Sequence, residues 1–230
     1  METNTFVLKC PHCGAKKEVG FSTDTWTNVP YLFWSDSRIE SSRWYAPAYT
    51  QQCPACGKFF TLPRRNTLKV TEKECYETGQ LPLQTLKQAI TELAGDEVAE
   101  PRARLEAWWA FNALYKDTDD IPTEELAYYK DNMQWLIDFH TPRVTRFSHL
   151  LFELHRLLGH KDVCEQMIES LTYDEYVRQR KIYCTENKMK FYDDEMMLKH
   201  RYQKEIEDLR FALTQPLKSY VKDVVKPFDE

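Results

Sequence analysis

The sequence predicts an α+β fold: a small β module over residues 1–72, followed over residues 80–230 by a larger all-α domain of helical hairpins. Three observations carry this. The motif Cys-Pro-X-Cys-Gly occurs twice, as "CPHCG" at 10–14 and "CPACG" at 53–57, each between short β-prone runs. The character changes over residues 70–82, where "TEKECYETGQLP" ends on a Gly and a Pro. Beyond it, apolar residues recur at helical spacing, with Pro near starts and Gly at stops. With only 6 glycines among 230 residues, a glycine-rich all-β architecture throughout is disfavoured.

In the β module, "TFVLKC" and "AKKEVGF" flank the first motif, and "YTQQC" and "KFFTLP" flank the second. Each pair predicts a short hairpin whose turn is the cysteine motif itself. Residues 22–49, rich in Ser, Thr, Trp, Tyr and Pro, lack a helical period and predict irregular loops with one or two extra strands. Their aromatics Tyr31, Phe33, Trp34, Trp44 and Tyr45 are candidates to fill the core of a small module or to pack it on the first helices, with an exposed binding surface as the alternative.

The helical part reads in order. "LPLQTLKQAITELAG" places Leu83, Leu86, Ile90 and Leu93 on one face. "EPRARLEAWWAFNALYKD", with Pro101 in its opening turn, carries a broad apolar face from Leu105 and Trp108 to Tyr115. "DIPTEELAYYKDNMQWLIDFH" follows with Leu126, Tyr129, Met133, Leu136 and Ile137. In "TPRVTRFSHLLFELHRLLGH", Thr141 is the expected N-cap and Pro142 the first helical residue. "KDVCEQMIESL" turns back after Gly159, and two longer, more polar helices are expected around 173–188 and 193–214. Short connections predict antiparallel neighbours. The tail "YVKDVVKPFDE" reads as a frayed extension.

The doubled motif carries the chemistry. A two-residue gap lets both sulfurs of a tight turn, Cys10 with Cys13 and Cys53 with Cys56, face one ion. Proline sets the backbone on entry, and glycine after the second cysteine admits a positive φ. Four thiolates make a closed tetrahedral site for one structural Zn²⁺, with a rubredoxin-type iron centre as the chemical alternative. His12, inside the first motif, is read as an exposed turn residue because four sulfurs already fill the site.

These residues resemble the zinc ribbons, in which two CPxCG knuckles cap β-hairpins around one zinc. The resemblance spans about residues 5–63 and carries over to Cys10, Cys13, Cys53 and Cys56. The 39 residues between Cys13 and Cys53 depart from a minimal ribbon, which uses roughly half that. Further on, "FSHLLFELHRLLGHKDVCEQMIESL" resembles one tetratricopeptide-type helix pair. Leu151, Phe152 and His155 fall on its first helix, Gly159 at the turn, and Cys164, Ile168 and Leu171 on its second. Cys164 stands where that family usually has alanine. The whole build is also similar to uncharacterised bacterial proteins with a ribbon followed by helices, a likeness that implies no activity.

Composition narrows the class. A 42% hydrophobic and 29% charged chain is ordinary for a globular protein, and no run reaches the roughly 18 apolar residues of a membrane span. Seven cysteines, four of them in knuckles, with no signal-like start predict a reducing, cytoplasmic location. Residues 1–70 hold 9 Lys/Arg against 5 Asp/Glu, a net +4, and residues 71–230 hold 22 against 31, a net −9. One Zn²⁺ on four thiolates would take the first segment to about +2.

Other chemistry is sparse. His149, His155 and His160 fall near one helix end, and offsets of six and five do not put neighbouring imidazoles on one helical face, so packing or solvation is expected of them. Cys75, Cys164 and Cys184 have no paired spacing. Trp108, Trp109 and Trp135 could line a ligand groove, but aromatics at helical spacing are expected in the core. No GxSxG, Walker A, GxGxxG or HExxH motif is present, and no pair of acids is marked out by an apolar setting that would shift a pKa. The first functional expectation is a non-enzymatic, zinc-binding protein-interaction module, with Trp34, Asp36, Arg38, Arg43 and Trp44 of the insertion as candidate partner-binding residues. The second is a nucleic-acid binder using Lys16, Lys17, Arg38, Arg43, Lys58, Arg64 and Arg65, with Trp26, Trp34 and Trp44 as stacking groups. The third is an enzyme whose zinc is purely structural.

Overall fold

A computed structural model describes residues 3–22, 31–34, 39–41, 49–61, 81–115, 117–118, 120–186, 191, 194–217 and 221–225. The fold is α+β: among the described residues, seven α-helices accompany three small antiparallel sheets. Two compact units result, residues 1–132 with 220–230, and residues 133–219.

In the first unit, strands β1 (Thr3–Lys9) and β2 (Lys16–Ser22) pair from Thr3 with Ser22 to Lys9 with Lys16, so the first cysteine motif is the turn. Strands β5 (Thr50–Gln52) and β6 (Phe59–Thr61) repeat the device around the second motif. Between them the sequence expectation of extra strands holds: β3 (Tyr31–Trp34) pairs with β4 (Ile39–Ser41). On its other edge β3 pairs antiparallel with β7 (Val221–Val225). The tail is therefore not a frayed extension over those five residues. Three of them are valine, and a two-stranded ribbon of three or four residues is marginal without a third strand.

Helix α1 (Leu83–Glu92) buries Leu83, Leu86, Ala89 and Ile90, and α2 (Ala99–Tyr115) lies against it. Asp96 starts α2 by accepting from the backbone N–H of Val98 at 2.9 Å and of Ala99 at 2.8 Å. Those two bonds hold the Asp96 carboxyl below its ordinary range. Trp108 is fully buried on α2. Its Nε1 donates to Tyr129 Oη at 3.2 Å, and Tyr129 donates in turn to Asn112 Oδ1 at 2.5 Å. Phe111 stacks on Tyr129 with ring centroids 3.8 Å apart. These contacts tie α2 to α3 (Thr123–His140), and Lys87 of α1 reaches Glu125 on the first turn of α3 at 2.7 Å. The boundary between the units falls within α3.

In the second unit the expected start of α4 moves. Thr141 Oγ1 donates back to the Ile137 carbonyl at 2.7 Å, closing α3, and residues Thr141–Arg143 form a 3-10 turn. Helix α4 (His149–Leu157) begins instead at Ser148, which accepts from the Leu151 N–H at 3.3 Å. It ends at Gly159, with φ of 78°, in a Schellman turn: Gly159 N–H to Arg156 O at 3.0 Å and His160 N–H to His155 O at 2.9 Å. Helix α5 (Lys161–Ser170) follows at once and packs on α4 through the fully buried Cys164, whose thiol donates to the Phe152 carbonyl at 3.6 Å. Burial pushes that thiol up to about 12, so it stays protonated. Helices α6 (Tyr173–Glu186) and α7 (Glu195–Ala212) complete the unit, with Tyr202 donating to the Leu171 carbonyl at 3.0 Å.

The strongest polar constraint in this unit is buried. Glu153 and Arg156, one turn apart on α4, form a two-point ion pair at 2.7 and 2.8 Å with both side chains under 5% exposed. Arg156 also donates to the Pro216 carbonyl at 2.7 Å and so fixes the chain after α7. Removing one partner strands the other charge away from water. Arg156→Ala is expected to lose about 3–5 kcal/mol of unfolding free energy in urea titrations. Arg178→Ala, which breaks the exposed pair with Glu175, should leave the midpoint unchanged within error. Equal effects from the two variants would show that burial does not set the value of these pairs.

Candidate metal centre

Each knuckle is built by the same backbone bonds. In the first, Gly14 N–H reaches Cys10 O at 2.9 Å and Cys10 N–H reaches Ala15 O at 2.8 Å. In the second, Gly57 N–H reaches Cys53 O at 2.8 Å and Cys53 N–H reaches Lys58 O at 2.9 Å. Both glycines sit at positive φ, 74° and 73°, a conformation that side chains with a Cβ adopt only with strain. The turns point their sulfurs inward, and the His12 N–H lies 3.4 Å from Cys10 Sγ.

The sulfurs meet across the two hairpins. Cys13 Sγ lies 3.6 Å from Cys53 Sγ and Cys10 Sγ lies 3.8 Å from Cys56 Sγ; all four fall within 4.8 Å of one another. Four sulfurs at about 2.3 Å from one ion stand roughly 3.8 Å apart in a tetrahedron. The two cross-hairpin separations therefore fit a single tetrahedral metal ion. They are far beyond the roughly 2.05 Å of a disulfide. Cys10 and Cys53 are buried while Cys13 and Cys56 are exposed, so the site lies at the surface of the first unit.

The thiols do not ionise alike. The Cys56 N–H, with that of Ala55 and the neighbouring sulfurs, draws the Cys53 thiol down to about 6 against a smaller effect of burial. At Cys13 the Ala15 N–H pulls down, but burial and the hydrogen bonds of Cys13 with the other three sulfurs outweigh it and push the thiol up to about 12. One thiolate forms readily and the next is resisted by its neighbours. A dication reverses that resistance by neutralising the cluster, and the remaining protons leave as it binds.

The two knuckles are also tied without metal. His12, exposed as expected, places Nε2 3.0 Å from the Phe59 carbonyl of the other hairpin. It is a strap between knuckles and lies outside the sulfur set. Phe59 and Phe60 are buried on β6, and β5 and β6 lie against α2. There the Thr50 N–H donates to Glu106 Oε1 at 2.9 Å, with Thr50 wholly buried and Glu106 2% exposed.

Glu106 is a single acid in an apolar setting, which the expectation about acid pairs did not cover. It occupies the inward stripe of α2 with Ala99, Ala103 and Ala107. Burial raises its carboxyl to about 7, with the N–H groups of Thr50 and Tyr49 and the charge of Arg102 only partly offsetting. Its spacing three residues after Ala103 was the available signal.

Of the other candidate residues, Trp34 lies on β3, its backbone opposite Val221, while Asp36, Arg38, Arg43 and Trp44 lie outside the described residues. Trp26, Arg64, Arg65 and Cys75 also lie outside them. Lys16 and Lys58 are exposed. Trp108 is core, and Trp109 and Trp135 are half-buried. His155 and His160, expected apart, are brought together: their Nδ1 atoms stand 3.1 Å apart. No helix among the described residues is long and apolar enough to cross a membrane.

The clasp between β5 and α2 is expected to respond to pH. The folded pKa of Glu106, about 7, lies above the unfolded value near 4.3, so the folded state holds the proton more tightly. Stability from this group is full below pH 4 and is lost as pH rises toward 7. Glu106→Gln keeps an acceptor for Thr50 and removes the charge. In urea titrations it should be more stable than the parent at pH 8 and lose that advantage at pH 5; a difference that does not change with pH would refute the assignment. Compared with protein-family models, curated proteins and solved structures, the chain matches none.

Proposed function

We propose that Cys10, Cys13, Cys53 and Cys56 hold one structural zinc ion and that the protein is a non-enzymatic protein-interaction module. The observation that supports this is the sulfur quartet, whose two cross-hairpin separations of 3.8 and 3.6 Å match a tetrahedral site. Four thiolates complete the coordination of such an ion, so none of its positions remains for a substrate or an activated water. Its work is to join two hairpins that are far apart in sequence and to hold the chain between them. Zinc is preferred to iron because nothing in the sequence suggests an electron-transfer partner.

In this reading the partner is a protein, held by the insertion between the knuckles through Trp34, Asp36, Arg38, Arg43 and Trp44. The α4–α5 pair would serve as a tetratricopeptide-like helical hairpin. Support for that comes from its tight Gly159 turn and from Cys164 buried at the helix contact.

Elemental analysis of purified protein should find one zinc per chain, and Cys13→Ser should lower that content while His12→Ala leaves it intact. Iron at equal stoichiometry would overturn the zinc assignment. Asp36→Ala with Arg38→Ala should keep the zinc and lose a stoichiometric protein partner recovered under gentle conditions. Retention of that partner, or tight oligonucleotide binding that falls steeply with salt, would overturn the interaction reading.

A further inference from the structure

Helix α4 ends in a way that builds a second constellation. In a Schellman turn the side chains of the third residue from the helix end and of the residue after the glycine come together, usually as an apolar contact. Here those positions are His155 and His160. Both backbones are held. His160 N–H bonds to His155 O at 2.9 Å, and the His160 carbonyl accepts the first bond of α5 from the Cys164 N–H at 3.1 Å. The imidazole rings lie with centroids 5.4 Å apart and Nδ1 atoms facing at 3.1 Å.

Two nitrogens at about 2.1 Å from one ion, subtending 90–110°, stand roughly 3.0–3.4 Å apart. The observed separation is that of two adjacent ligands. Burial, then the neighbouring His160, holds His155 below its ordinary pKa, so its lone pair is available near neutral pH. The nearest cations in sequence are turned away: Arg156 to Glu153, and Lys161 to Glu165 at 3.7 Å. Among the described residues no third His, Cys or carboxylate joins the pair as a ligand group, so water would complete the shell.

We infer that His155 and His160 form a two-imidazole chelate for a borderline divalent transition ion such as Ni²⁺, Cu²⁺ or Zn²⁺, sharing no ligand with the four cysteines. The site is exposed, so exchange is fast and affinity is well below that of a closed sulfur site. Affinity follows the order Zn²⁺ below Cu²⁺ and Ni²⁺ below Cu²⁺. Protons compete with the metal for the ligand nitrogens, so binding weakens in acid.

The test uses the full chain with its cysteine site loaded and excess metal dialysed away. Calorimetric titration with Ni²⁺ at pH 7.5 should show one saturable ion per chain, bound more weakly at pH 5. His155→Ala and His160→Ala should each abolish it, with circular dichroism confirming the fold, while His200→Ala leaves it unchanged. Gly159→Ala keeps both imidazoles and meets Leu217 only at an ordinary 3.7 Å, but strains a φ of +78°. It should weaken binding without removing a ligand. Saturable binding that survives either histidine substitution, or none in the parent protein, would overturn the site and leave a hydrogen-bonded histidine pair.

Discussion

The first unit depends on two hairpin turns meeting at four sulfurs. β1–β2 and β5–β6 are each a two-stranded ribbon, a form marginal in water without something to pack on. Their turns are far apart in sequence, with 39 residues between Cys13 and Cys53. Loop-closure entropy grows slowly, so doubling a loop of this kind costs only about 0.6 kcal/mol. A structural zinc of the kind proposed contributes an apparent 10–16 kcal/mol in small zinc modules, roughly twenty times more. That disparity explains why a long insertion can sit between knuckles without endangering the site. It also leaves β3 and β4 free to recruit a strand from the far end of the chain.

Protein contacts hold the second of these hairpins in place. The second has Phe59 and Phe60 buried, rests on α2, and is clasped by the Thr50–Glu106 bond. Placing an ionisable acid at that clasp is unfavourable when it is charged, and a glutamine there would be more stable at high pH. The acid makes the grip of α2 on the hairpin three residues from Cys53 depend on a proton. The first hairpin reaches the second through the sulfurs and through the His12 contact with Phe59 O. The proposed metal and the strap both join the first hairpin to the second, which itself rests on α2.

The legible parts of this chain were those set by local rules. CPxCG spacing announced the hairpin turns because the backbone bonds, the positive-φ glycine and the sulfur direction all lie within six residues. Helical periodicity found Leu86, Trp108, Met133 and Leu136, each at most 1% exposed. The misreadings came from competition or distance. Thr141 and Pro142 carry the signature of a helix start, yet the Thr141 hydroxyl found the nearer Ile137 carbonyl, and Ser148 took the cap. "VKDVV" looks like a tail because its partner, β3, lies nearly 190 residues upstream. Glu106 was passed over because an acid on a helix is ordinarily solvated, and what buries it includes the distant β5.

The histidine pair shows that the rule applied matters as much as the residues read. Judged as points on a continuous helix, positions five apart diverge by most of half a turn. Judged as a helix end, the same spacing is the one offset at which a Schellman turn folds two side chains together. The glycine four after His155 decides between the two, since its φ of 78° ends the helix one residue before His160. An apolar pair there would only seal the turn. Two imidazoles seal it and face their nitrogens at ligand distance, so a capping motif that serves folding in most helices here also presents donor atoms to solvent.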